Sequence, residues 1–176
     1  MLSTNSVRPG SFTITKGSIM FSISRRRAMN ALACVAFLSV APTASFAAEV
    51  ASKDEAVAMV KKAISFYQSN GKDKLAAEIN GKNPMFIDRD LYIYVITMEG
   101  VVVGHATNQK LVDKNLAQLK DADGKPFVEE ILALAKDKKA GWVDYKWPNP
   151  VTKKVDSKTT YTEFADGLVF CAGVYR

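Results

Sequence analysis

The hydrophobic residues near the start of the folded part recur at helical spacing. Ser52 and Glu55 form a capping-box pattern. Apolar side chains then follow three or four residues apart, at Val57, Val60, Ile64 and Tyr67. Asn70 and Gly71 end this run, so the pattern predicts a long amphipathic first helix. Its apolar stripe could cover a sheet or pair with a second copy, and the sequence leaves that choice open.

The remaining segments are mostly strands by pattern, with helices between them. Runs rich in β-branched and aromatic residues predict five strands, over 91–98, 101–106, 142–147, 157–164 and 168–175. We also expect helices at 72–79 and 126–140 and a helical turn near 111–119. This order predicts an α+β domain with an antiparallel sheet of about five strands and helices on one side.

Both tryptophans of the chain fall in one predicted strand, within 141–150. Strand alternation places Val143, Tyr145 and Trp147 on one face. Aromatic rings with polar tips are suited to line a ligand site, because they supply apolar area and an orienting O–H or N–H. The same rings could instead fill a core, and the pattern does not separate these interpretations.

The first 47 residues have the order of an export signal. They hold five of the 24 Lys and Arg residues and none of the 18 acidic residues. A basic cluster at 24–27 precedes an apolar run at 31–41 and small residues, so we predict cleavage after Ala47. The run is about half the roughly 20 residues that a membrane-spanning helix needs. We therefore expect one domain over 48–176 without a transmembrane segment after processing.

The export route stays open. The segment Ser24-Arg25-Arg26-Arg27 resembles a twin-arginine signal, but Ala28 and Asn30 depart from its usual pattern. The general secretory route and the twin-arginine route are both compatible with this leader. Met20 could also be the true start of the chain.

The charge and the cysteine content bear on whether the protein binds nucleic acid and whether it holds a disulfide. Without the leader, 19 basic residues face 18 acidic ones, a formal charge of +1. A nucleic-acid partner would need a cluster of Lys and Arg without neighbouring acidic residues, and the sequence after the leader has none. We therefore expect no nucleic-acid partner. Cys171 is the one cysteine left, so no internal disulfide is expected, and its apolar strand favours a buried, inert thiol.

The same residues offer little for catalysis or metal binding. No Gly-x-Ser-x-Gly segment or other nucleophile-and-base motif occurs, so we assign no catalytic residue. Zinc sites usually need three or four His or Cys ligands, and the processed chain offers His105 and Cys171. We therefore expect no metal and no cofactor.

Several segments together resemble a known family. They occur in one order along the chain: Arg89-Asp90-Leu91-Tyr92-Ile93-Tyr94, Gly104-His105-Ala106, Asp123-Gly124-Lys125-Pro126-Phe127, Gly141-Trp142-Val143-Asp144-Tyr145-Lys146-Trp147-Pro148-Asn149-Pro150, Lys158-Thr159-Thr160-Tyr161 and Gly173-Val174-Tyr175. This order resembles the second type of single Cache domain, found in the extracytoplasmic parts of bacterial chemoreceptors and histidine kinases. The resemblance covers nearly all of residues 50–176.

The resemblance implies a PAS-like fold, with a central antiparallel sheet, a long N-terminal helix behind it and a small-molecule pocket between sheet and loops. Members of the family sense small organic acids and related metabolites. His105 matches the family's pocket-facing histidine, and Lys158 matches a lysine of the family motif.

The expected ligand contacts combine these matches with strand geometry, and they are Tyr94, His105, Tyr145, Trp147, Lys158 and Arg89. Lys158 is the preferred partner for an anionic ligand, through a charge-assisted hydrogen bond. Arg89 offers a bidentate alternative, although Asp90 could neutralise it at the surface.

We therefore expect an exported periplasmic sensory domain that binds a small organic acid. Because the last predicted strand ends at Tyr175, output would pass through a membrane receptor or kinase partner. The alternative is a periplasmic enzyme or accessory subunit that uses the same pocket. The absence of a recognisable acid–base or nucleophile constellation argues against the enzyme.

Overall fold

The structure is a computed structural model that describes residues 50–137 and 139–176. The predicted leader and its cleavage after Ala47 lie outside these residues. Three helices are described: α1 (Lys53–Asn70), α2 (Lys72–Asn80) and α3 (Phe127–Lys136). The strands are β1 (Ile87–Asp88), β2 (Leu91–Thr97), β3 (Val102–His105), β4 (Gly141–Pro148), β5 (Val155–Ala165) and β6 (Leu168–Tyr175).

The strands form one antiparallel sheet in the order β1-β2-β6-β5-β4, and β3 also pairs with β2. The last strand of the chain therefore lies in the middle of the sheet. Cys171 in β6 pairs with Tyr94 on one side and with Thr162 on the other. The predicted α+β class and central antiparallel sheet are confirmed; the short β1 adds a sixth strand.

Helix α1 begins as its sequence predicts. The Ser52 hydroxyl accepts from the backbone N–H of Glu55 at 3.2 Å, and the Glu55 carboxylate accepts from the N–H of Ser52 at 2.6 Å. Four α1 residues are buried: Ala56, Met59, Val60 and Ala63. The buried stripe is therefore rotated from the predicted one, because small alanines let the helix approach the sheet closely. This stripe covers the sheet.

The helical turn expected near 111–119 is displaced toward the N-terminus. A single 3₁₀ turn covers Gln109–Leu111, and the chain then runs beside β3. The N–H of Val102 donates to the carbonyl of Lys114 at 3.0 Å, and the N–H of Leu116 donates to Gly100 at 2.9 Å. The backbone of this segment thus forms hydrogen bonds with the outer edge of β3, and it could not form them as a helix.

The expectation of helices on one side is also wrong. Tyr67 of α1 packs on Phe170 of β6, with ring centroids 5.7 Å apart. Phe127 of α3 instead stacks on Tyr145, on the face of the sheet opposite to α1. The Tyr145 hydroxyl lies 3.3 Å from the hydroxyl of Tyr94, which projects from the same face as Tyr145. The sheet is therefore sandwiched, and α3 helps to enclose a cavity on the face away from α1.

Candidate functional site

Strand alternation gathers polar aromatic residues on the face away from α1. Tyr92 and Tyr94 project from β2, and Tyr145 and Trp147 project from β4. His105 is paired directly with Tyr94 across β2 and β3. Val143, Tyr145 and Trp147 share this face as predicted, with Val143 and Tyr145 buried and Trp147 half-buried.

These side chains surround a small cavity. Its sheet side is lined by Tyr92, Tyr94, Ile96, His105, Tyr145 and Trp147, and its other side by Leu111, Leu116, Phe127, Val128 and Ile131. Its volume is about 20 Å³, enough for about one water molecule. The cavity is thus mostly apolar, with a few polar tips from the sheet.

Three hydroxyl groups form a chain beside the cavity. Thr160 Oγ1 donates to the Tyr145 hydroxyl at 2.9 Å, and that hydroxyl lies 3.3 Å from the Tyr94 hydroxyl. Burial raises the pKa of both Tyr94 and Tyr145 well above the usual value for tyrosine. Both phenols therefore remain protonated at neutral pH and can donate hydrogen bonds.

His105 is held in one tautomer and one charge state. Its ring lies 5.6 Å from that of Tyr94 with an 18° angle between planes, and its Nδ1 accepts from the backbone N–H of Asn108 at 3.1 Å. Burial, followed by the nearby charge of Lys158, lowers the pKa of His105 to about 3. A neutral imidazole that accepts at Nδ1 carries its proton on Nε2, which is then a donor.

Lys158 is buried without a hydrogen-bond partner. Only 1% of the residue is exposed, and Nζ is the one buried side-chain nitrogen or oxygen of the described residues that lacks such a partner. Nζ lies 3.8 Å from the ring centroid of Tyr92, 4.8 Å from that of Tyr175 and 5.9 Å from that of Tyr94. Lys158 does not itself line the cavity; it lies against tyrosines that do. Burial lowers its pKa.

Gly173 makes this position of Lys158 sterically possible. A Cβ at residue 173 would lie 2.5 Å from Cε of Lys158 and 2.3 Å from Oγ1 of Thr160. Any larger residue would therefore collide with the lysine stem, which crosses β6 on its way to Tyr92. The glycine is needed here for close approach.

A second hydroxyl pair lies behind Lys158. The Tyr175 hydroxyl donates to the carbonyl of Pro148 at 2.9 Å, and the Tyr92 hydroxyl lies 3.2 Å from that of Tyr175. Since Tyr175 uses its proton on Pro148, Tyr92 is the donor in this pair. The ring of Tyr92 is thereby fixed between the cavity and the Lys158 amine.

The structure does not bring Arg89 to this cavity. Its guanidinium forms ion pairs with Glu55 and Asp88 near the start of α1. Asp90, the alternative surface partner considered for Arg89, is buried and accepts from the N–H of Ala51 at 3.2 Å. Among the six predicted contacts, Tyr94, His105, Tyr145 and Trp147 line the cavity, and Lys158 lies behind it.

Sequence reasoning missed several residues of this site. Tyr92 shares the face of Tyr94, and this alternation was a usable signal. Gly173 and Tyr175 also alternate in their strand. Phe127 carried no signal as a cavity residue, because its position depends on how α3 packs over β4.

Cys171 is buried, as predicted. Cys171 is fully buried, with its Sγ 3.4 Å from Oγ1 of Thr162, and burial raises its pKa to about 11. Among the described residues, no three His, Cys, Asp or Glu side chains come together as a potential metal site. No helix in the same part of the chain is long and apolar enough to cross a membrane.

The fold and the cavity can now be compared with known proteins. The family model described as single Cache domain 2 matches residues 29–168, which is most of the chain. The chain belongs to this family. A periplasmic sensor domain of a chemotaxis protein shares the fold at 24% identity, with a TM-score of 0.55 and coverage of 69% of this chain and 88% of that one.

One curated relative of this Cache domain is a chemotaxis protein. It is 33% identical over 90 residues to the methyl-accepting chemotaxis protein McpP of Pseudomonas putida. That alignment covers 50% of this chain and 16% of McpP, so the chain spans only a small part of the length of that relative.

Two solved structures share the fold at moderate sequence identity. A Cache chemosensory domain described for its carboxylic acid recognition is 26% identical, with a TM-score of 0.55, and the match covers 69% of this chain and 86% of that one. A methyl-accepting chemotaxis protein from Vibrio parahaemolyticus is 27% identical, with a TM-score of 0.58 and coverage of 70% and 84%. The resemblance implied by the sequence motifs is thus confirmed.

Proposed function

We propose that this Cache domain binds a small organic acid, or a related anionic metabolite, in the cavity beside Lys158. The observation that carries the proposal is the buried Nζ of Lys158, which has no hydrogen-bond partner among the described residues. A buried amine without a partner costs free energy in its charged form, and an anion that enters beside it removes that cost. A carboxylate is the simplest such anion.

Neutral donors near the amine can fix the orientation of a carboxylate. His105 offers Nε2–H, because its Nδ1 already accepts from Asn108. Tyr94 and Tyr145 offer hydroxyl groups that burial keeps protonated. A positive charge together with two kinds of donor matches the hydrogen-bonding capacity of a carboxylate, which accepts at two oxygens.

The size and composition of the site also support a small ligand. The apolar walls of this small cavity favour a short carbon skeleton over a large polar metabolite, and even a short acid must displace part of the wall. A cation would compete with Lys158 for the same tyrosine faces. The relative described for carboxylic acid recognition supports the same ligand class for this chain.

We propose further that residues 48–176 form the binding domain, that the leader is removed after Ala47, and that the domain works in the periplasm. Output would pass from the liganded domain to a membrane receptor or kinase. N-terminal sequencing of the exported protein tests the leader: Ala48 as first residue is expected, and an intact Met1 or Met20 would contradict it.

An enzyme that uses the same pocket needs an activated nucleophile or a paired acid and base. Cys171 has its pKa raised to about 11, so it is a poor nucleophile at neutral pH. His105 stacks on tyrosines and accepts a backbone N–H, with no carboxylate among its hydrogen-bond partners. These observations favour binding over catalysis.

Lys158→Met tests the proposal, because it keeps the stem and removes the charge. A metabolite panel would first be screened by thermal shift, since a ligand at 100 times its Kd adds about 2.7 kcal/mol of stability. Calorimetry should then show binding of the best anion weakened about tenfold to a hundredfold in Lys158→Met, a loss of about 1.4–2.7 kcal/mol.

The unliganded Lys158→Met protein should be about as stable as the wild type, because the lost contacts of the ammonium with the tyrosine rings offset the removal of a buried amine without a hydrogen-bond partner. Lys154→Met, at an exposed position in the loop between β4 and β5, is the matched control and should bind normally. A best ligand that is neutral or cationic, or an affinity unchanged in Lys158→Met, would overturn the assignment.

A further inference from the structure

The cavity is smaller than the ligand class that we propose for it. Its volume of about 20 Å³ accommodates about one water molecule, which is less than a carboxylate with a carbon chain. A ligand must therefore displace one of the walls, and the wall that yields least determines which acids fit. One aromatic ring stands out on the side away from the sheet, that of Phe127.

We propose that Phe127 is a specificity-determining residue, whose ring closes the cavity along β4 and limits the length of the carbon chain that can follow the carboxylate. This inference rests on the proposed function, because it concerns which members of the ligand class enter the same site.

The contacts of the ring carry the argument. Phe127 is 3% exposed, and its ring stacks on Tyr145 with centroids 4.0 Å apart and 12° between planes. It also meets the ring of Trp147 at 5.6 Å and 60°. The phenyl group thus lies against both aromatic residues that β4 contributes to the cavity. A ligand chain that ran along β4 would occupy the same place as this ring.

The backbone that carries Phe127 is fixed to β4. Asp121 accepts the N–H of Lys125 at 2.9 Å with one carboxylate oxygen and the N–H of Lys146 in β4 at 2.8 Å with the other. The N–H of Phe127 donates to the carbonyl of Lys125 at 2.9 Å. Hydrogen bonds to a charged group are among the stronger ones, so the start of α3 is held in place. The side chain, more than the backbone, therefore determines the available space.

The other walls are less suited to this role. Tyr94 and Tyr145 are tied to each other by their hydroxyl groups, and His105 is held by its contact with Asn108. Those residues orient the polar end of a ligand. Val128 and Ile131 belong to the same helix but present short aliphatic side chains. Phe127 alone among the described α3 residues of the cavity wall combines a large ring with contacts along β4.

The test is a chain-length series on full-length protein. Straight-chain monocarboxylates from acetate to hexanoate would be titrated by calorimetry into wild type, Phe127→Leu and Phe127→Ala. Each methylene that finds room contributes about 0.8 kcal/mol, or about fourfold in affinity. We expect the affinity of pentanoate relative to propanoate to rise roughly tenfold or more in Phe127→Ala, and by less in Phe127→Leu.

Phe170→Leu is the matched control, because it makes the same chemical change on the α1 face and should leave the length preference unchanged. An unchanged pentanoate-to-propanoate ratio in folded Phe127 variants would overturn this inference while the binding proposal stands. If Phe127→Ala fails to fold, the pentanoate-to-propanoate affinity ratio of Phe127→Leu tests the inference. If the wild type binds none of the acids, the proposed ligand class is wrong, and the inference falls with it.

Discussion

The two faces of the central sheet are made by the same strands, yet they are stabilised differently. On one face, Val60 and Ala63 of α1 are fully buried over a sheet that presents Phe170 and Ala172. On the other face, Tyr94 and Tyr145, a neutral His105 and Lys158 are also buried. Burial alone therefore does not separate core from site. The difference lies in polar satisfaction, since the described residue with an unpartnered buried amine belongs to the cavity face.

The comparison shows which face of the sheet can hold a ligand site. The α1 face gains stability from close packing and has nothing to offer a ligand. The cavity face retains a small void and an amine that costs stability without a ligand. Substitutions on the two faces should thus affect stability and binding in different proportions.

The largest effect is expected on the α1 face. Phe170 is fully buried there, so Phe170→Ala should lower the free energy of unfolding by about 3–5 kcal/mol. Denaturant titration measures this loss. The fraction that remains folded should bind ligand with wild-type affinity in calorimetry. A large affinity loss would break the comparison, because the two faces would then be coupled.

Gly173→Ala should lower both the stability of the fold and the affinity for the ligand. The added methyl collides with Lys158 and Thr160, and overpacking of this kind costs about 1–3 kcal/mol. Displacement of the lysine should also weaken binding. Gly104→Ala adds a methyl in β3 near Ile79, away from Lys158, and serves as the control. Equal affinity loss in both variants would argue against a specific role of Gly173.

The pH dependence of stability should reveal His105. Its pKa is about 3 in the folded protein against an ordinary 6.5, so between these values the unfolded chain binds a proton that the native protein does not. Stability should therefore fall as pH decreases from 6.5 toward 3, by up to about 1.4 kcal/mol per pH unit from this group. Urea unfolding of His105→Gln should give a flatter profile over this window. Parallel profiles would contradict the burial of a neutral imidazole.

Trp147→Phe should have the smallest effect on stability. Trp147 is half-buried, and the substitution keeps most of the ring contact, so the unfolding free energy should change by about 1 kcal/mol or less. Ligand affinity should fall by a few fold, since Trp147 lines the cavity. Trp147→Ala should abolish ligand-induced stabilisation. Undiminished binding in both variants would remove Trp147 from the site.

Much of the fold could be predicted from local pattern. The capping box of Ser52 and Glu55 and the strand periods are local features, and the structure has them where expected. The helical turn expected near 111–119 lies at Gln109–Leu111 instead, because the chain after it finds backbone partners beside β3, and local periodicity carries no information about them. The rotated stripe of α1 has a similar cause, since local periodicity does not show which side of the helix packs against the sheet.

The site could be predicted in part. Alternation and the family resemblance together identified Tyr94, His105, Tyr145 and Trp147, which line one cavity. They did not distinguish Arg89, which forms ion pairs with Glu55 and Asp88 instead. The side chain of a charged residue next to a predicted strand can point to either side of the sheet. Only the packing of the neighbouring residues determines which side it takes.

The sequence by itself determined the family, the α+β class and the faces of the strands, because each depends on residue order and on periods of two or 3.6 residues. The tertiary structure alone decided that Lys158 lies unpartnered among three tyrosines, that Gly173 makes room for it, and that Phe127 closes the cavity. Those relations join residues far apart in the chain. They depend on strand register and on how α3 packs over β4, which no local pattern specifies.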